Sequence, residues 1–71
     1  MKKNINERIA ELKSMTEDIK KLNDCEAYMS WIFLVPDDAD EYDYHDIAAD
    51  KEDYQEAVER YNRLMTVYGK R

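Results

Sequence analysis

Apolar residues recur at spacings of three and four positions through the first third of the chain. The residues that keep this spacing are Ile5, Ile9, Leu12, Met15, Ile19 and Leu22. The spacing places them on one face of a 3.6-residue helix, and glutamate and lysine fill the opposite face. Asn4 followed by Glu7 is a capping pattern that begins a helix. We therefore predict a helix from about Ile5 to Leu22.

A second amphipathic pattern occupies the end of the chain. Tyr54, Tyr61 and Tyr68 lie seven residues apart, with Ala57, Val58, Leu64 and Met65 between them. Asp50 precedes this pattern as a candidate N-cap, and Gly69 follows it as a candidate left-handed residue at the helix end. The pattern predicts a helix over Lys51–Tyr68. A tyrosine stripe at this spacing is typical of a packing seam with its hydroxyls at the rim.

The stretch between these helices fits two kinds of secondary structure. Its density of β-branched and aromatic residues over 28–35 would suit a strand. However, Asn23 with Glu26 repeats the capping pattern, and the helical spacing continues through Leu22, Cys25, Met29, Ile32 and Phe33. We favour a helix from Asn23 to Leu34 that ends before Pro36, because the residue before a proline is disfavoured in helical conformation. Cys25 is interpreted as a small core residue.

These elements predict an all-α fold that forms one small domain over residues 1–71. The expected arrangement is a small antiparallel helical hairpin or a three-helix arrangement with an acidic connecting loop, in which the last helix packs back antiparallel. The alternative is an α+β fold with residues 28–35 as a strand. The apolar run from Trp31 to Val35 cannot all face inward on one helix. Trp31 and Phe33 are therefore also candidates for self-association, and a homodimer stays open beside internal burial.

Charge divides the chain more sharply than hydrophobicity does. The protein has 71 residues, 17 acidic against 11 basic side chains, one cysteine and a formal charge of −6. Residues 1–36 are neutral overall, residues 37–59 carry eleven acids and one base, and residues 60–71 carry four bases and no acid. This composition argues against a multidomain enzyme, a disulfide scaffold and a nucleic-acid binder with a basic surface. We expect no direct binding to nucleic acid.

The acidic middle segment carries the main functional prediction. Spread along a helix, its carboxylates would give about one negative charge per 3 Å, close to the roughly 3.4 Å between phosphates of one DNA strand. Such a segment could occupy a basic nucleic-acid-binding cleft of a larger protein, with tyrosines assisting the contact. The predicted contact residues are Asp37, Asp38, Asp40, Glu41, Tyr42, Asp43, Tyr44 and Asp46. The competing interpretation is a solvated segment that keeps the protein soluble.

Other chemistry is weakly supported by the sequence. From Asp38, the sixth and twelfth positions of a calcium-binding EF-hand loop would be Asp43 and Ala49 instead of glycine and glutamate, so the match fails. His45 stands among acids without a nucleophile or a second catalytic group. We predict no catalytic residue, no cofactor and no metal site, and hence no enzyme.

Small size, dense acid and the lack of catalytic residues resemble the phage-encoded DNA mimics, which include several anti-CRISPR inhibitors. The resemblance is one of class, and no motif carries over a functional residue. It implies a non-enzymatic inhibitor of a nucleic-acid-binding protein. The alternative function is a helical oligomerisation or adaptor module that acts through its apolar stripe. Without a secretory signal or an apolar span, we expect a cytoplasmic protein of a bacterial or host cytosol with no membrane contact.

Overall fold

The computed structural model describes residues 3–69, which fold into four α-helices without a β-strand. The helices are α1 (Ile5–Lys21), α2 (Cys25–Ile32), α3 (Glu41–Ala49) and α4 (Lys51–Val67). The all-α prediction is confirmed, and the alternative with a strand over residues 28–35 is wrong. The predicted acidic loop is also wrong in part, because its second half forms α3.

A side-chain cap begins each helix. An Asn or Asp oxygen accepts a hydrogen bond from a backbone N–H of the first turn, which satisfies a donor that has no partner inside the helix. These capping residues are Asn4, Asp24, Asp40 and Asp50. The predicted caps at Asn4 and Asp50 are confirmed. The predicted cap at Asn23 is wrong, since Asp24 accepts from the N–H of Ala27 at 3.0 Å.

Asn23 has a different role, which is to interrupt the helical phase. Its φ of 55° places it in the left-handed region, where asparagine is tolerated better than most residues. This break rotates α2 relative to the phase of α1, so that Ala27 and Trp31 face the core, each with no exposed surface. Cys25 is exposed, which contradicts its predicted place in the core.

Hydrogen bonds between helices show their directions. Tyr61 Oη donates to Asp18 Oδ2 at 2.8 Å, and Tyr54 Oη donates to Glu11 in the same manner one heptad earlier. Positions therefore increase together along α4 and α1, so these two helices run parallel. The predicted antiparallel packing of the last helix holds against α2, because Arg60 bonds Ser30 and Tyr68 bonds Glu26. The helix α3 also runs antiparallel to α1, because Lys13 and Arg8 of α1 contact Glu41 and Ala48 respectively.

The last helix ends without a left-handed residue. No glycine among residues 3–69 has a positive φ, so the prediction for Gly69 is wrong. The backbone N–H of Gly69 donates to the carbonyl of Met65 at 3.0 Å, which continues the helical hydrogen bonding by one residue. A Cβ on Gly69 would lie 2.6 Å from that carbonyl oxygen, so a glycine is required here for close approach.

The core is organised around the buried hydroxyl of Thr16. Its Oγ1 donates to the Leu12 carbonyl at 3.0 Å and accepts from Trp31 Nε1 at 3.1 Å and from Tyr44 Oη at 3.3 Å. The ring of Trp31 also meets the ring of Tyr61 edge to face, with centroids 6.1 Å apart. One hydroxyl and one indole therefore connect α1 with α2, α3 and α4.

Replacement of Thr16 by valine tests this arrangement. Valine keeps the shape but removes the acceptor, which leaves the Trp31 N–H and the Tyr44 hydroxyl buried without a partner. We expect the free energy of unfolding to fall by about 2 kcal/mol or more. Urea unfolding followed by the fluorescence of the single tryptophan measures this value. Thr16→Ser is the control and should cost less, about 1 kcal/mol for the lost methyl group. A valine variant as stable as the serine variant would contradict the role of the hydroxyl.

Candidate functional site

The acidic residues of the middle segment come together on two adjacent helices. All eleven carboxylates of residues 37–59 belong to exposed residues. They lie on the loop before α3, on α3 itself and on the first half of α4. Asp50 alone connects the two helices, since it ends α3 and caps α4. We call this set of eleven side chains the acidic surface.

The acidic surface is carried by a hairpin of two short helical segments. Because α3 runs against α1 and α4 runs along it, the chain reverses direction at Asp50. The nine residues of α3 and the first nine of α4 each extend about 13 Å. Packed helices lie about 8–10 Å apart. The acids thus lie on two adjacent antiparallel helices, and the single extended row considered from the sequence is not what the fold presents.

Four acids of this surface also stabilise the fold. Asp40 and Asp50 cap α3 and α4. Asp37 forms an ion pair with Lys20 at 2.7 Å, and Glu41 forms a longer one with Lys13 at 3.4 Å. The remaining seven take part in no ion pair within residues 3–69; they are Asp38, Asp43, Asp46, Glu52, Asp53, Glu56 and Glu59. These seven carboxylates are available to an external cation.

The charge on α3 is only partly compensated by its helix dipole. Glu41 and Asp43 lie in the first turn, where the positive end of the dipole favours acids. Asp46 lies in the last turn, where no basic residue accompanies it and the dipole disfavours a negative charge. The repulsion among these carboxylates is a cost to the free protein that a positively charged partner would relieve.

Of the two tyrosines predicted to assist the contact, one is exposed and the other is buried. Tyr42 is 71% exposed on α3, in line with the prediction. Tyr44 is 5% exposed, and its ring packs under the ammonium of Lys13 while its hydroxyl reaches Thr16. Tyr44 is therefore a correction to the predicted contact set, because its side chain anchors α3 to the core and leaves almost no surface for a partner. The helical period places neighbours 42 and 44 on opposite faces.

Of the two residues predicted for self-association, one is also buried and the other exposed. Trp31 has no exposed surface, so it is a core residue and cannot meet a second copy. Phe33 is 84% exposed, and Met29 on the same side of α2 is 53% exposed. The exposed apolar surface of α2 therefore includes Phe33, which was predicted for self-association, and Met29, which was not.

A small polar cluster fixes the start of the acidic surface to the body of the protein. The hydrogen bond from Lys20, followed by one from Tyr28, lowers the pKa of Asp37. The hydrogen bond that Tyr28 donates to Asp37 raises the pKa of Tyr28 to about 12. Lys20 belongs to α1 and Tyr28 to α2, so this carboxylate connects the loop before α3 to both helices. Sequence reasoning had assigned Asp37 to partner contact alone.

The tyrosine stripe of α4 lies in a helix interface, as its spacing predicted. Burial, followed by the hydrogen bond to Glu11, raises the pKa of Tyr54. Burial and the bond to Asp18 raise the pKa of Tyr61 in the same way. The third member, Tyr68, donates to Glu26 Oε2 at 3.3 Å. These contacts make the stripe a packing seam with its hydroxyls at the rim.

The remaining candidate chemistry finds little geometric support. Within residues 3–69, no three side chains of His, Cys, Asp or Glu come together as a metal site. His45 is exposed on α3. In the same part of the chain, no helix has the length and apolar character needed to cross a bilayer. Comparisons with protein-family models, with curated proteins and with solved structures find no match.

The hydrogen bond between Tyr28 and Asp37 predicts a measurable titration. Its contribution to stability is complete below the ordinary tyrosine pKa of 10.0 and is lost as the pH rises through about 12. We expect Tyr28 to titrate near pH 12 in an NMR titration of the labelled tyrosine ring carbons, with Tyr28→Phe identifying its signal. Asp37→Asn should lower that pKa toward 10.0. An unchanged pKa in the asparagine variant would show that this bond is not formed in solution.

Proposed function

We propose that this protein is a non-enzymatic inhibitor that occupies a basic nucleic-acid-binding groove of a larger protein. The observation that supports the proposal is the acidic surface, in which seven exposed carboxylates have no ion-pair partner within residues 3–69. Lys51 is the single base between residues 37 and 59. A cationic groove would supply the missing counter-charges.

The shape of the acidic surface favours a groove that binds a duplex. The axes of two packed helices lie about 8–10 Å apart, which is comparable to the width of a DNA groove, about 6 Å on the minor side and 12 Å on the major side. A partner that contacts both phosphate backbones would thus meet negative charge on both helices. The carboxylates include those of Asp43 and Asp46 on α3 and of Glu52 and Glu56 on α4.

The anchoring of the helices that carry this surface supports the same function. The acids of α3 and α4 are carried on helices whose first turns are capped by Asp40 and Asp50. Tyr44 fixes α3 to Thr16, and Tyr54 fixes α4 to α1. A charged surface that is ordered before binding loses less conformational entropy when it binds than a disordered acidic loop would. Competition with nucleic acid for one groove benefits from this preorganisation.

Capture of proteins from a cell lysate tests the proposed function. The immobilised protein is exposed to a lysate fraction enriched in nucleic-acid-binding proteins on a phosphate-bearing resin, and bound proteins are identified by mass. We expect a partner with a basic nucleic-acid groove, displaced by duplex DNA. Its retention should fall steeply with salt, because the Debye length shortens from about 30 Å at 0.01 M to about 8 Å at 0.15 M. Equal retention at both ionic strengths would contradict the proposal.

A matched pair of charge variants separates specific contact from bulk charge. Asp43→Asn with Asp46→Asn removes two charges from the acidic surface, whereas Glu7→Gln with Glu17→Gln removes two from exposed positions of α1. We expect the first pair to weaken capture of the partner at least tenfold and the second pair to have little effect. Equal effects of the two pairs would show that the acidic surface contributes to binding only through the net charge of the protein.

The same surface predicts an opposite effect on the free protein. Asp46→Asn removes a negative charge from the last turn of α3, where the dipole disfavours it. We expect the melting temperature of the free protein to rise by about 2 °C at low salt. Circular dichroism measures the change, and Glu17→Gln serves as the control. A lower melting temperature for the Asp46 variant would show that this carboxylate stabilises the fold, against the proposed functional role.

A further inference from the structure

We propose that a small pocket beside α2 receives an arginine side chain from the basic groove of the partner, an inference that rests on the proposed function. The pocket has a volume of about 290 Å³ and is lined by Tyr28, Ile32, Pro36, Asp37 and Asp38. We call it the Tyr28 pocket. Pockets for small molecules usually measure about 300–1,000 Å³. The Tyr28 pocket is therefore of a size that suits a single side chain.

The apolar walls of the Tyr28 pocket fit the stem of a long cationic side chain. Tyr28 and Ile32 lie four residues apart on α2, and Pro36 follows in the connection to α3. All three residues are half-buried, so part of each apolar surface stays open to a ligand. Arginine and lysine bury their methylene stems along apolar surface of this kind and keep the charged head near water.

Asp38 supplies the charge that an incoming cation would meet. It is exposed and forms no ion pair within residues 3–69, whereas Asp37 already binds Lys20 of its own chain at 2.7 Å. Among the described residues, none that lines the pocket is basic. With Lys20 counted against Asp37, the pocket keeps the one uncompensated negative charge of Asp38. A single guanidinium would balance that charge.

The chain itself shows a guanidinium beside a tyrosine that binds a carboxylate. Tyr54 donates to Glu11, and the guanidinium carbon of Arg8 lies 5.2 Å from the centre of the Tyr54 ring. Tyr28 is bonded to Asp37 in the same way, but no cation within residues 3–69 lies over its ring. The Tyr28 pocket thus repeats the tyrosine and the carboxylate of that arrangement, and the partner would provide the guanidinium.

The aromatic wall and the carboxylate of Asp38 favour arginine over lysine. A guanidinium is planar and more weakly hydrated than an ammonium, so it stacks on an aromatic ring and binds a carboxylate through two N–H groups. An ammonium is a strongly hydrated point charge without this geometry. Both residues contact phosphates in nucleic-acid grooves. The Tyr28 pocket therefore adds a preference for arginine to a surface that otherwise attracts either cation.

A titration with two capped tripeptides tests the pocket without the partner. Acetyl-Gly-Arg-Gly-amide and acetyl-Gly-Lys-Gly-amide carry the same charge, and each is added to the isotope-labelled native chain. We expect the arginine peptide to give saturable NMR shifts at the amides of Ile32 and Asp38, and the lysine peptide to bind about threefold more weakly. Equal affinity for the two peptides, or shifts spread evenly over the acidic surface, would overturn the proposal.

A charge-matched pair of variants separates occupation of the pocket from added charge. Ile32→Arg brings a guanidinium to the pocket from its own wall, whereas Met29→Arg adds the same charge at an exposed position of α2 that does not line the pocket. We expect Ile32→Arg to abolish the localised shifts and Met29→Arg to retain them, with native helical circular dichroism in both. Localised shifts of equal size in both variants would count against the pocket.

A second pair keeps the pocket testable should Ile32→Arg fail to fold. Asp38→Asn removes the uncompensated charge of the pocket, and Glu7→Gln removes one charge from an exposed position of α1. We expect Asp38→Asn to weaken binding of the arginine peptide about threefold and Glu7→Gln to leave it unchanged. Equal affinities of these two variants for the peptide would contradict the role of Asp38.

The protein captured from the lysate distinguishes the pocket from the proposed function. Its retention should fall about tenfold more with Ile32→Arg than with Met29→Arg. Capture of a protein with a basic groove that both variants retain equally would overturn the pocket and leave the proposed function standing. Arginine-specific shifts without capture of any such protein would support the pocket as an arginine site and contradict the proposed function.

Discussion

The hydroxyl of Thr16 holds the helices of this protein in their relative positions. It is buried, it donates within α1, and it accepts from the Trp31 indole of α2 and the Tyr44 hydroxyl of α3. Each of these groups would be costly to bury without a partner. Trp31 in turn meets Tyr61 of α4. A chain of this length has little core to spare, so a shared polar contact that fixes three helices at once has a large effect on the whole fold.

The position of α3 shows how this contact connects packing with the acidic surface. Its carboxylates repel one another, and its last turn has no basic residue. Its attachment to the core rests on the buried side chains of Tyr44 and Ala48. The tyrosine offers both a ring under Lys13 and a hydroxyl at Thr16. The protein thus carries on α3 a charged surface that is unfavourable in isolation, which is the compromise that the proposed binding role requires.

The left-handed residue Asn23 divides the exterior of the molecule into two chemically different surfaces. By resetting the helical phase, it buries Trp31 and turns Met29 and Phe33 outward. Met29 and Phe33 then expose apolar surface at α2, and the eleven carboxylates of the acidic surface lie on α3, on α4 and on the loop before α3. Helices α2 and α3 do not pack together within residues 3–69.

Local sequence determined the helices that carry their own signals. The spacing of Ile9, Leu12 and Ile19 and the caps at Asn4 and Asp50 depend on neighbouring residues only, so α1 and α4 were predictable, as was the concentration of acid between them. The parallel direction of α4 relative to α1 and the burial of Tyr44 were not. They depend on one backbone dihedral at Asn23 and on a hydroxyl fifteen residues from the indole it binds. Such contacts between distant parts of a chain leave no periodic pattern, so only the tertiary structure decides them.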